Sequence, residues 1–522
     1  MNSVWQSLLW KEWREHRLIL AILAALFIVI PPIFSLRTPT NFFSILSFTL
    51  FAVPMVSMFI AMNIAAGEQS AGTIRFLQSL PITGRKPAAA KLFWAVATVI
   101  VPILLAVGAA VLWSWMLEEA AQEAIAYDEG VYQTAPGSWF AARCFTPSVA
   151  AISLILWMAA AGVNRSDEVR AGAIGILVVA SYWLLIALGG YTLDVLGLRE
   201  PYRLFPLLFS TAPGGVGILS DRMSFASDDS SMLAKYWPLA VVGVLSHGAL
   251  AAWYVGRFGR VVPGKPQAVE RPAAPRDRHW LAPPLRSPLF AIAWKQLRES
   301  GPLAVLGATC IAAIAIFIYV AHFSLDRAEV SDLTPVDMFE GMAAAWIIVG
   351  LMVATVAGVG VFMDDLKPGL YAFWRSRPIN VDQWFAVKFI AGLLVTVVTL
   401  AIPLLLVTAY LLIVPDAYAI HHKVSINDAI RFVGVGLLAQ SGLYSAAVAA
   451  IVLLRRPIHA AFASLAAAWV AGMAAVAAAA FADRRIGQPN HGLLAIFLVA
   501  IFTLAVIFLA WLAVRKNWGW KH

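Results

Sequence analysis

Two acidic residues, Glu68 and Asp365, each close a long apolar run and are followed by the same residues at the same spacing. From Glu68 the pattern runs Gly72, Phe76, Pro81, Ile82 and Lys91; from Asp365 it runs Gly369, Phe373, Pro378, Ile379 and Lys388, every position 297 residues later. Thr73, Leu77 and Leu80 fill the first copy; the second has Leu370 in place of the threonine and Trp374 in place of Leu77. The glycines permit a sharp turn. The following residues suit a short helix that the proline ends, with Phe76-Leu77 or Phe373-Trp374 as an apolar knob. A knob on a water-facing loop suits docking of a partner. The alternative is a loop that only packs back on its own bundle, and duplication favours docking.

Catalytic chemistry finds little support. No Ser/His/Asp set, paired acids or metal-ligand cluster stands at a useful spacing, so no catalytic residue and no metal are assigned. Cys144 and Cys310 are too far apart along the chain's organisation to bridge. His421 and His422 are adjacent, which suits surface exposure better than joint ligation. Three polar residues fall within apolar runs: Asn63, His247 and Gln440. They are the candidate pathway residues, though hydrogen bonding between helices is the simpler role for Asn63 and Gln440, and packing is the commoner role for a buried histidine.

These residues need a scaffold, and the composition names its solvent. Of 522 residues, 61% are hydrophobic and 13% charged, too apolar for a water-soluble surface. The apolar residues come in blocks of about 20, the length of a bilayer-crossing helix. About twelve spans are expected: 18–36, 41–66, 92–117, 147–164, 170–190, 237–257, 302–321, 341–363, 385–414, 429–453, 458–481 and 492–514. Strand-like alternation is absent, which argues against a β-barrel. The expected fold is therefore an all-α polytopic membrane protein. Most Lys and Arg residues fall in loops on the side of both termini, which makes that side cytoplasmic. The net charge of +9 is explained by span ends, so nucleic acid is not expected as a partner. The early basic residues and apolar run lack a cleavage site and read as a retained span, not a signal peptide.

A second echo joins the halves. Trp10-Lys11 with Arg14-Glu15 recurs as Trp294-Lys295 with Arg298-Glu299, 284 residues later. Together the echoes divide the chain into a first half (1–260), a Pro/Arg-rich cytoplasmic linker (261–285) and a second half (286–522), two parallel six-helix repeats. Ahead of each half lies an amphipathic stretch. Trp5, Leu8, Leu9 and Trp13 share one helical face, with Lys11 and Arg14 turned away; Trp294 and Leu297 belong to the second copy. The expectation is an interfacial helix against membrane lipid, the alternative a cytoplasmic extension of the first span.

The run Glu-x3-Gly-Thr-x2-Phe-Leu-x2-Leu-Pro-Ile, closed by Lys91 and preceded by Trp-Lys-x2-Arg-Glu, resembles the type-2 ABC exporter permease family, over nearly the whole chain. The resemblance implies that the 68–81 and 365–378 segments are coupling helices gripped by ATP-binding subunits in two copies. No G-x4-G-K-[ST] occurs in the chain, so ATP and Mg would be bound by that partner, with no cofactor in this chain and no enzyme activity of its own. It further implies export across a bacterial inner (cytoplasmic) membrane. An apolar, Gly/Pro-interrupted piece from Leu204 to Leu219 could dip back into the membrane; in such permeases this region contributes to an outer gate, and only the first half has it. Two rivals stand beside this reading: a major-facilitator-type secondary carrier, and a non-transporting membrane anchor for an ATPase.

Overall fold

In a computed structural model of the chain, residues 2–29, 53–70, 72–79, 82–129, 136–165, 168–195, 208, 210–215, 230–260, 287–325, 335–363, 365–366, 380–413, 426–486 and 491–518 are described. Among them the chain is helical and no strand occurs. The helices are α1 (Asn2–Ile28), α2 (Val53–Ser70), α3 (Ile74–Ser79), α4 (Arg85–Glu129), α5 (Pro136–Gly162), α6 (Glu168–Val195), α7 (Ser230–Arg257), α8 (Pro288–Leu325), α9 (Pro335–Met363), α10 (Val381–Ile413), α11 (Ile426–Leu454), α12 (Pro457–Ile486) and α13 (His491–Lys516). Eight of them contain stretches long and apolar enough to cross a membrane: 85–109, 145–162, 238–257, 288–314, 381–406, 433–454, 457–475 and 494–516. The protein is a multi-pass α-helical membrane protein. A helix satisfies its own backbone where lipid offers no hydrogen bonds.

The amphipathic stretches are not separate helices. Neither Gly nor Pro interrupts residues 2–28, and α1 runs from the Trp5 region into the apolar segment without a break. In the second copy α8 continues through Gly301 and Pro302. The expected separate interfacial helix is thus continuous with the segment that follows it. The buried face differs too. Along α1 the bundle takes Leu8, Glu12, His16, Ile19, Leu23 and Phe27, while Trp5 and Trp10 are exposed and Leu9 and Trp13 half-buried. Trp13 packs on Trp94, ring centroids 5.2 Å apart. Along α8 the buried set includes Ile292, Gln296, Ser300, Leu303, Gly307 and Ile311, each 284 residues after its α1 counterpart. Trp294 and Leu297 are exposed.

The packing partners correspond as well. Helix α1 packs on α4 as α8 packs on α10, and α2 on α5 as α9 on α11. Across the halves the first helix of one meets the fifth long helix of the other: α1 touches α12, and α8 touches α6. One apolar core, running from Ile19 and Phe27 through Trp346 and Tyr444 to Val514, includes residues of both halves.

Candidate functional site: a buried ion cluster under a short exposed helix

Glu68 lies in the last turn of α2 and is 6% exposed. Its carboxylate receives the ammonium of Lys11 from α1, the ammonium of Lys91 from α4 at 2.9 Å, and the hydroxyl of Thr73. Glu12 joins from α1, its carboxylate 3.1 Å from Lys91 and 3.3 Å from Lys11. Glu15 lies 3.4 Å from Lys11 and 3.8 Å from Lys91. The oxygens of Glu12, Glu15 and Glu68 come within 4.8 Å of one another, a spacing that could hold a metal ion, but the two ammonium groups already bridge all three carboxylates. Such a pairing is what lets charge persist inside an apolar bundle.

The electrostatics follow from the contacts. Burial opposes ionisation of Glu68, but Lys91 and Lys11 and the hydrogen bonds from Lys11 and Thr73 outweigh it and bring its pKa down to about 2. Glu12 goes the other way: burial dominates and raises its pKa above the ordinary range, with Lys91 and Lys11 pulling against it. Three carboxylates share two ammonium groups, and the strain of the unmatched charge falls on the most deeply placed acid of α1.

The second half carries a reduced version. Asp365, 1% exposed, receives Lys295 at 2.8 Å from α8 and Lys388 from α10. Burial would raise the pKa of Asp365, but Lys388 and Lys295 together lower it. Glu299 lies 3.5 Å from Lys295. Gln296 takes the place of Glu12 and donates instead to Ser300 at 2.5 Å. The Lys388 ammonium stands 5.3 Å from the Phe362 ring centroid and 5.8 Å from that of Trp384, within reach of cation–π attraction. The positions matching Phe362 and Trp384 in the first half are Ala65 and Pro87. One half thus balances its lysine with an extra acid, the other with aromatic faces.

Helix α3 stands directly on the first cluster. Gly72 has a positive φ of 70°, the sharp turn its type foretold. Thr73 follows, its amide on the Glu68 carbonyl at 2.9 Å and its own carbonyl accepting from Leu77 at 3.0 Å. The expected knob is split by the helix: Phe76 is 65% exposed, whereas Leu77 is buried against the bundle. Leu77 is therefore an anchor and only Phe76 is presented outward, because adjacent residues on a helix point about 100° apart. Gln78 donates to the Gly259 carbonyl at 2.7 Å, just past the end of α7. The Gly259 amide donates to the Asn164 side chain at 3.0 Å, and Asn164 donates to the Arg257 carbonyl at 2.7 Å. The short helix is thereby braced against the ends of α2, α5 and α7. Arg455 and Asn517 form the corresponding contact between the ends of α11 and α13, at 3.1 Å. Leu80, Pro81, Gly369, Phe373, Trp374 and Pro378 lie outside the described residues, as does the 261–285 linker.

The three candidate pathway residues are engaged separately. Asn63 is half-buried on α2 with its side-chain oxygen against Gly67. Gln440 donates to the Trp346 carbonyl at 3.4 Å. His247 lies 2.6 Å from Ser153. Sequence reasoning missed Glu12, Gln78, Asn164 and Ser153. A signal existed for Glu12, since the second echo aligns it with Gln296 inside an otherwise matching Trp-Lys-x2-Arg-Glu pattern. The others are joined to their partners by long-range contacts that no local pattern encodes.

Set against protein-family models and against curated proteins, the chain matches none of them.

Proposed function

We propose that this chain is the permease component of an ATP-driven ABC exporter, with two parallel six-span halves and ATP hydrolysis supplied by separate subunits. Eight described stretches are long and apolar enough for spans, and the matched burial of α1 and α8 and their matched partners support extending the count to twelve in two repeats. The observation that carries the reading is the position of Glu68. One carboxylate joins the cap of the exposed helix α3, through Thr73, to α1 through Lys11 and to α4 through Lys91. A push on Phe76 by a docked partner would reach three transmembrane elements through a cluster too costly to pull apart. That is a two-state lever of the kind ligand-driven transporters need.

In this reading Phe76 is the grip, with Phe373 and Trp374 its expected counterparts in the second half, and Leu77 and Gln78 hold α3 to the bundle. The ATP-binding partner, in two copies, sits on the cytoplasmic side of a bacterial inner membrane together with both termini. ATP and Mg belong to that partner. The test is copurification from membranes. Wild-type chain should retain an ATP-hydrolysing subunit, Phe76→Asp with Phe373→Asp should lose it while still eluting as a folded species, and retention by the double variant would remove the docking role.

A further inference from the structure

The stretch 210–215 lies outside the spans yet is buried among them. Ser210 and Ala212 are 1% and 0% exposed, and the backbone leaves regular helix at 212–214. Non-helical backbone inside a membrane bundle needs partners for its polar groups, and here side chains supply several of them while the Ala212 and Gly215 amides donate to the Leu208 and Ala212 carbonyls. Trp157 of α5 donates to the Thr211 carbonyl at 3.1 Å, and Trp183 of α6 to the Pro213 carbonyl at 3.0 Å. The hydroxyls of Tyr182 and Thr211 lie 2.6 Å apart. The Gly214 amide donates to Ser153 at 2.9 Å, from a glycine at φ +76°, a conformation that side-chain-bearing residues rarely adopt.

Ser153 is in turn fixed by His247. Nδ1 of His247 lies 2.7 Å from the Gly243 carbonyl, which can only accept, so Nδ1 carries the proton. In the neutral ring Nε2 is then an acceptor, and the Ser153 hydroxyl 2.6 Å away donates to it. The Ala212 carbonyl at 3.3 Å is the longer alternative. The result is an ordered chain in which Gly214 donates to Ser153, Ser153 to His247 and His247 to Gly243. Ser153 is nine residues from the end of α5 and His247 ten from the end of α7, which places both roughly 14–15 Å from those ends at 1.5 Å per residue. That is about halfway across a hydrocarbon core of about 30 Å.

We infer that Ser153 and His247 form a latch that pins the 210–215 turn at mid-membrane depth in the first half. His247 is then a positioning residue: it orients the Ser153 hydroxyl away from the turn, which leaves the serine lone pairs to receive Gly214. Nothing in this inference needs an ATP-driven partner, so it stands apart from the permease reading.

The test is cysteine accessibility. Ser210→Cys, nearly isosteric at a buried position, is introduced into a chain whose Cys144 and Cys310 have been replaced by serine, and a membrane-impermeant maleimide is added to the outer face of intact cells. With the latch intact, labelling should be at least about tenfold slower than after unfolding in detergent. Ser153→Ala and His247→Phe should each raise the rate at least about tenfold. Ser153→Thr, which keeps the hydroxyl, should stay slow, and so should Ser445→Ala, a helix-internal hydroxyl of α11. Fast labelling with the latch residues intact, or unchanged slow labelling in both Ser153→Ala and His247→Phe, overturns the latch. Parallel acceleration by Ser445→Ala would also overturn it, by showing a loosened bundle in place of a specific release.

Discussion

Thr73 is bonded to Glu68 twice, its hydroxyl to the carboxylate and its amide to the carbonyl, the latter at 2.9 Å. The residue that begins the exposed helix therefore also holds the acid on which α1 and α4 converge. Removing the hydroxyl while keeping the branched shape separates grip from transmission. Under the proposed permease reading, Thr73→Val should still copurify with the ATP-binding partner, because Phe76 is intact, while cargo-stimulated ATP hydrolysis falls several-fold. Thr73→Ser should restore it. Equal stimulated rates in Thr73→Val and wild type would leave the hydroxyl without a part in coupling.

Phe76 and Leu77 should separate cleanly although they are neighbours. Phe76→Ala removes an exposed ring and should leave thermal stability in detergent unchanged while weakening partner capture. Leu77→Ala removes a buried anchor and should cost about 2 kcal/mol or more, read as a lower melting temperature. The same outcome for both variants would mean the helix does not present its faces as described.

The two halves also perform a substitution on each other. Gln296 occupies the place of Glu12, and burial already opposes the charge on Glu12, so Glu12→Gln should be mild, about 1 kcal/mol, the central effect of a point substitution. Lys91→Met leaves Glu12, Glu15 and Glu68 sharing the Lys11 ammonium alone and should cost about 3–5 kcal/mol. Thermal unfolding of the two variants side by side checks the order; a larger loss in Glu12→Gln would reverse the assignment of Lys91 as the centre of the cluster.

The pH dependence has two opposed parts. Glu68 has a folded pKa near 2 against an ordinary value of 4.5. Its contribution is fully present above 4.5 and is lost as pH falls toward 2. Glu12 is shifted upward by burial, so the folded state holds its proton more tightly, and wild-type stability declines as pH rises from 4.5 through the raised value. Relative to wild type, Glu12→Gln should therefore gain stability between acidic and neutral pH, and Glu68→Gln should lose it. Parallel pH curves for all three proteins would show that neither shift exists.

Much of this is legible in the amino-acid sequence. The apolar blocks fixed an α-helical membrane protein, because a lipid core accepts only backbone that bonds to itself. The 297-residue echo marked Glu68, Lys91, Asp365 and Lys388, and Gly72 announced its turn through the one side chain that leaves positive φ unhindered. What the chain alone could not say was where these groups point. The amphipathic pattern turns Lys11 away from the apolar face, whereas in the fold it reaches Glu68 on another helix; Phe76 and Leu77 read as one knob, whereas α3 exposes the first and buries the second; His247 stands alone in its apolar run, whereas the fold brings it Ser153 from a helix 94 residues away. Sequence spacing determines which groups share one helix face, a local matter of 100° per residue, whereas the meeting of charges and hydroxyls from different helices is set by how those helices pack.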